Sequence, residues 1–102
     1  MKVCVLASGS KGNCTYIETN ELKILIDAGM SCAYIEKNLK ELGVMPNEIT
    51  HVFITHTHSD HIAGLKVFTK KYNPTICFTK IMHNDLEFPI SNFIYLEPFS
   101  GN

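Results

Sequence analysis

The chain has 102 residues, 45% of them hydrophobic and 19% charged, with a formal net charge of -1 at pH 7. That length supports at most one small domain with a modest core, and the near-neutral balance excludes bulk electrostatic attraction to nucleic acid or membrane. All nine basic residues are lysines, so the bidentate phosphate fork of arginine is missing throughout.

Val3-Cys4-Val5-Leu6-Ala7 is continuously apolar and predicts a strand buried on both faces. Ser8-Gly9-Ser10-Lys11-Gly12-Asn13 follows as a loop whose glycines permit close backbone approach. Residues 14–19 look like a strand rather than a helix, so the strand-loop-helix context of a phosphate-binding loop is missing. Two readings stay open for this loop: a plain hairpin connection, or a lining of the cleft described below. A turn at Asn20-Glu21 leads into a strand over 22–26 that ends in Asp27-Ala28-Gly29. A carboxylate directly after an apolar strand needs partners. Asp27 is expected either to hold neighbouring backbone donors or to support the histidine loop further along.

Ser31 is placed to cap a helix over 31–43, with Cys32, Ile35, Leu39 and Leu42 on one face. Glu36, Lys37, Lys40 and Glu41 lie on the other and read as solvated charges, and Gly43 and Pro46 end the helix. Residues 46–49 form a turn into the next strand, which His51 opens in a structural role. Val52-Phe53-Ile54-Thr55 predicts a short buried strand. His56-Thr57-His58-Ser59-Asp60-His61 follows at once. In extended backbone, residues two apart point the same way, so His56 and His58 converge; on a helix they would diverge. Ile62, Leu65, Phe68, Thr69 and Tyr72 then recur at helical spacing, predicting one helix over 60–72 with Ser59 or Asp60 as its cap and Lys66, Lys70 and Lys71 on a solvated face. Neutral imidazole beside carboxylate suits zinc, manganese or iron. Beyond Pro74 the pattern predicts a strand over 75–78, a helical turn over 81–86 and a last strand over 93–96.

Cys4, Cys14, Cys32 and Cys77 lie far apart with no Cys-x-x-Cys pair, and read as free, core-packing thiols. The apolar run at 3–7 is too short for a signal-peptide core, and no run approaches the length of a membrane span. A cytoplasmic protein is expected.

At His56-Thr57-His58-Ser59-Asp60-His61 the sequence resembles the metallo-β-lactamase-fold hydrolases. Ser8-Gly9-Ser10-Lys11-Gly12-Asn13-Cys14, the strand end Leu25-Ile26-Asp27-Ala28-Gly29 and the approach Ile54-Thr55-His56 agree with it. The Ser-Gly-Ser-x-Gly-Asn-Cys loop is similar to that of the bacterial YycJ/WalJ-like (VicX) phosphodiesterases and nucleases. The resemblance implies an α/β fold, the N-terminal half of an αββα sandwich with a mixed sheet and helices on one face. It implies two divalent ions, zinc foremost, with His56 and His58 on the first and Asp60 and His61 on the second. Asp60 would also orient or deprotonate the attacking water, and Asp27 would brace the loop. The family takes further ligands from a C-terminal half that follows this region. Residues 1–102 are therefore expected to form a partial domain: a metal-dependent, phosphodiesterase- or nuclease-like hydrolase only when completed, or else a non-catalytic remnant that binds metal weakly.

His83 and Asp85 come too soon after the motif to replace the missing ligands, and His83 reads as an exposed-loop histidine. The expected partners are a nucleic acid or other phosphodiester, with no membrane, and either a second copy or a complementary C-terminal half. The tail from Ile81 onward, with Phe88, Phe93 and Tyr95, is the local candidate to cover an otherwise open sheet face.

Overall fold

The computed structural model describes residues 1–97, so residues 98–102 of the expected domain and tail lie outside the described residues. Six strands form one sheet: β1 (Lys2–Ala7), β2 (Cys14–Glu18), β3 (Lys23–Ile26), β4 (His51–Phe53), β5 (Thr75–Phe78) and β6 (Phe93–Tyr95). They lie side by side in chain order. β1, β2 and β3 are joined by antiparallel hairpins, whereas β3, β4, β5 and β6 run parallel. The parallel steps are made through α1 (Cys32–Glu41), the pair α2 (Ser59–Ile62) and α3 (Leu65–Tyr72), and α4 (Lys80–Asp85). Crossovers of one hand in an order that never reverses put every helix on the same side of the sheet. The result is a mixed sheet with helices on one face.

Register and burial agree with that layering. Cys4, Tyr16, Leu25, Val52 and Ile76 align across β1 to β5, and the last four of them are wholly buried. Ile35 and Leu39 of α1 and Leu65 and Phe68 of α3 pack onto this row. The other face carries Val3, Val5, Ile17, Ile24, Ile26, Phe53 and Ile94, none of them buried, and the buried Cys77 between Phe53 and Ile94. Val3 and Val5 are 56% and 61% exposed, so β1 is not covered on both faces as its apolar run predicts. A run of five apolar residues cannot distinguish two covered faces from one covered face and one open one.

Among the described residues, the tail does not supply the cover. Phe88 and Ile90 pack into the helix-side core, and β6 extends the sheet at its edge rather than folding over the open face. No helix among the described residues is long and apolar enough to cross a membrane. All four cysteines are free thiols, and burial raises those of Cys32 and Cys77.

Local signals act where predicted at α1: the Ser31 hydroxyl accepts from the Tyr34 amide at 3.2 Å, and Gly43, with φ 79°, follows the helix end. The charges on α1 and α3 are not all merely solvated. Glu36 accepts from Lys71 Nζ at 2.7 Å and from the Tyr72 hydroxyl, tying α1 to α3. Those two donors, Lys71 first, hold the Glu36 carboxyl below its usual range.

Candidate metal centre

The expected helix over 60–72 is in fact two, α2 and α3, separated at Ala63-Gly64. The cause lies in distant backbone. In a continuous helix the Gly64 amide would donate to the Asp60 carbonyl; instead it donates to Ala28 O at 2.8 Å. The Asp60 carbonyl accepts from Asn13 N at 2.7 Å and Asn13 Nδ2 at 3.2 Å. The His61 carbonyl accepts from Ala28 N at 2.8 Å. Two segments, 12–13 and 27–29, thus take over hydrogen bonds that would have carried the helix through. The cap falls at His58 rather than Ser59 or Asp60. The strand is intercepted in the same way: β4 ends at Phe53, and the Thr55 amide donates to Asp27 Oδ1 at 2.8 Å.

Asp27 is the centre of this arrangement. It is buried, and its backbone takes the left-handed conformation with φ 65°, which aspartate tolerates better than most residues. Its Oδ2 accepts from the Thr55 hydroxyl at 2.5 Å and lies 2.7 Å from His61 Nδ1. A carboxylate only accepts, so Nδ1 of His61 is the donor in this contact and Nε2 is the nitrogen turned elsewhere. That Nε2 sits 3.6 Å from Asp60 Oδ2. The Thr55 hydroxyl donates its hydrogen bond to Asp27, so it acts as acceptor toward His56 Nδ1 at 3.1 Å. His56 therefore also has its Nδ1 engaged, and Nε2 is its other ring nitrogen. Asp27 thus contacts His61 directly and His56 through Thr55, and it also accepts from the Thr55 amide.

The four motif side chains gather at the C-terminal end of the parallel strands. The His56 ring lies 4.7 Å from that of His61 and 6.2 Å from that of His58. His56 and His58 are exposed, whereas Asp60 and His61 are half-buried. Asn13 reaches Asp60 Oδ2 at 3.4 Å, so the glycine loop both connects β1 to β2 and lines the motif. His51 lies at the far end of β4, with Nδ1 2.9 Å from Thr50 Oγ1, apart from the motif.

His83 is not an exposed-loop residue. It lies on α4, half-buried among Phe78, Phe93 and Tyr95, with Nδ1 2.7 Å from the Tyr95 hydroxyl. Asp85 accepts only a long contact of 3.4 Å from Thr57. Cys14 offers no thiolate beside Asp27: burial, and then the Asp27 charge, push its thiol up to about 12.

The donor chemistry suits a divalent ion, with imidazole nitrogens and a carboxylate at one end of the sheet. The donor count falls short. Among the described residues, no three His, Cys, Asp or Glu side chains are gathered so as to hold one ion.

Two contributors were not singled out in the sequence: Thr55 and Gly64. A Cβ on Gly64 would meet the Met30 carbonyl at 2.1 Å, and one on Gly29 the Asp60 carbonyl at 1.9 Å. A glycine on each side of the motif was the visible signal, although nothing local tells which backbone it must admit.

The chain is similar to known proteins over the same region. The family model described as "Metallo-beta-lactamase superfamily" matches residues 7–80. Exodeoxyribonuclease YycJ of Bacillus anthracis is 41% identical over 88 residues, which are 86% of this chain and 33% of that protein. Exodeoxyribonuclease WalJ of Streptococcus pneumoniae is 46% identical over 71 residues, 70% of this chain and 26% of its own. The chain thus spans a third or less of the length of these curated relatives. Among solved structures, the Rm3 metallo-beta-lactamase superposes with a TM-score of 0.79 at 19% identity, covering 93% of this chain and 42% of the other. The matched residues 7–80 hold β2 to β5, α1 to α3 and the histidine motif, and the chain belongs to the metallo-beta-lactamase superfamily.

Proposed function

We propose that this chain is the N-terminal, ligand-bearing part of a metal-dependent hydrolase that cleaves phosphodiester bonds in nucleic acid. The superfamily fold implies a divalent metal. The proposed ligands are His56 and His58 for one ion and Asp60 and His61 for a second, with zinc as the favoured metal. The observation that carries this reading is the Asp27–Thr55 arrangement, which engages Nδ1 of both His61 and His56 and leaves Nε2 of each ring as the nitrogen available to an ion. Metal-bound histidines are held in just this way by a carboxylate on the other ring nitrogen. When bound, such ions supply acidified water and offset charge on phosphoryl oxygens. The chain's own contribution is positional. Asp27 orients His61, Thr55 orients His56, and Asn13 and Gly29 fix the Asp60 backbone, so that the Asp60 carboxylate is held where it can accept a proton from an attacking water. The names of the similar exodeoxyribonucleases support nucleic acid as the substrate class.

Two donors per ion is one fewer than a catalytic zinc site usually has. We therefore propose that the remaining ligands come from polypeptide outside these 102 residues, and that the chain by itself binds metal weakly without turnover. Zinc calorimetry on the wild type and on His56→Ala/His58→Ala tests this. The expected result is weak binding that the double variant loses; equal binding by both proteins removes the motif from the site. Robust hydrolysis of a generic phosphodiester by the isolated chain, abolished by Asp60→Ala, would overturn the need for outside ligands.

A further inference from the structure

Beside the motif, at the same end of the sheet, four rings gather on β5, α4 and β6. Phe78 is wholly buried and stacks on His83, with centroids 4.9 Å apart and planes at 22°. His83 lies 4.7 Å from Phe93, and Phe93 lies 5.0 Å from Tyr95. The Tyr95 hydroxyl is held by His83 Nδ1 at 2.7 Å. Phe93 and Tyr95 are nevertheless 37% and 42% exposed. Two large rings fixed from beneath and open from above form a rigid aromatic surface.

We propose that Phe93 and Tyr95, steadied by Phe78 and His83, form a stacking platform for a nucleobase of a single-stranded nucleic-acid substrate. The proposal rests on the phosphodiester-hydrolase reading of the motif. Position supports it. β4, β5 and β6 are parallel neighbours, so their C-terminal ends share the motif's edge. Two interstrand steps put β6 roughly 10 Å from β4, a reach that suits a nucleotide next to the one being cleaved. The Thr57 hydroxyl, inside the motif, touches Asp85 at the end of α4, the helix that carries His83.

The charge pattern agrees. The exposed carboxylate of Asp85, which Thr57 touches, disfavours phosphate here, leaving the base face as the part of a nucleotide that this surface accepts. Stacking is tolerant of sequence because every base has a π-face. The alternative occupant, further polypeptide packed on the open sheet face, meets a different residue. In β6 it is Ile94 that points to that side, whereas Phe93 and Tyr95 pair with Ile76 and Phe78 on the helix side. A layer on the open face leaves the platform accessible.

The test is fluorescence anisotropy of a labelled oligothymidine in chelator, against an abasic oligomer of equal length. Wild type should bind the oligothymidine about tenfold more tightly, the effect of roughly one stacked base. Phe93→Leu/Tyr95→Leu should lose that difference, and Tyr95→Phe, which keeps the ring, should retain it. Titrating thymidine monophosphate into wild type should shift the Phe93 and Tyr95 ring resonances, a readout that needs no variant. Equal affinity of wild type for both oligomers, or unshifted rings, overturns the platform. Zinc calorimetry on the same samples separates the two readings. Zinc binding without base-dependent affinity sinks the platform alone; base-dependent affinity without zinc binding sinks the hydrolase reading and keeps the platform.

Discussion

Asp27 Oδ2 lies 2.7 Å from Nδ1 of His61, a contact between residues 34 apart in the chain. It joins the end of β3 to the first turn of α2 and decides which imidazole nitrogen faces outward. Asp27→Asn keeps the shape and can keep the bond from the Thr55 amide, but it sets an NH2 donor against one of the two former donors. The His61 proton should then move to Nε2, visible in the nitrogen-15 shifts of the ring. Zinc affinity should fall by about 10- to 100-fold, and stability by about 2 kcal/mol. Unchanged zinc affinity would remove Asp27 from any role beyond folding.

Gly29 should resist substitution more than Gly43 does. A methyl at Gly29 runs into the Asp60 carbonyl at 1.9 Å and the Asn13 amide at 2.5 Å, all backbone that cannot swing aside. At Gly43 the space is open, and only the left-handed backbone, φ 79°, opposes alanine. Gly29→Ala should cost about 3 kcal/mol or more by forcing apart segments that also hold the motif; Gly43→Ala should cost about 1 kcal/mol. Chemical denaturation of the two variants ranks them, and an equal cost would contradict the close approach at Asp60.

The isolated chain should associate with itself or bind apolar dyes. Val3, Val5, Ile17, Ile24, Ile26, Phe53 and Ile94 share one sheet face and are not buried, unlike Cys77 among them, a patch on the scale of the several hundred Å² that marks an interaction surface. Val5→Lys with Ile94→Lys, at positions 61% and 50% exposed, should reduce both association and dye binding without lowering stability. Light scattering checks it. A monodisperse wild-type monomer that binds no dye would show that the face needs no partner.

Cysteine reactivity should divide by burial. Burial holds the thiols of Cys14, Cys32 and Cys77 above their usual range, that of Cys14 at about 12. At pH 8 these three stay protonated in the folded state, and the thiolate is the form that reacts. Brief alkylation followed by mass spectrometry should therefore label the half-exposed Cys4 first. Rapid native labelling of Cys14 would mean that the loop beside Asp27 opens readily.

Much of this protein can be read from its residues in order. The β-branched runs predict the strands, Ser31 and Gly43 mark the ends of α1, and the histidine spacing marks the motif, because period and capping are properties of neighbouring residues. What only the tertiary structure decided involves partners far apart in sequence. The helical period continues from Ile62 to Tyr72, yet the helix breaks at Gly64 because Asn13 and Ala28 compete for its backbone bonds. Glu36 looks like one more solvated charge until α3 brings Lys71 to it across 35 positions. His83 reads as a loop residue until β6 returns Tyr95 and Phe93 to its ring. The motif's residue types are local information; the protons on its imidazoles depend on Asp27 and Thr55, and a hydrogen bond formed by folding has no local period by which to announce itself.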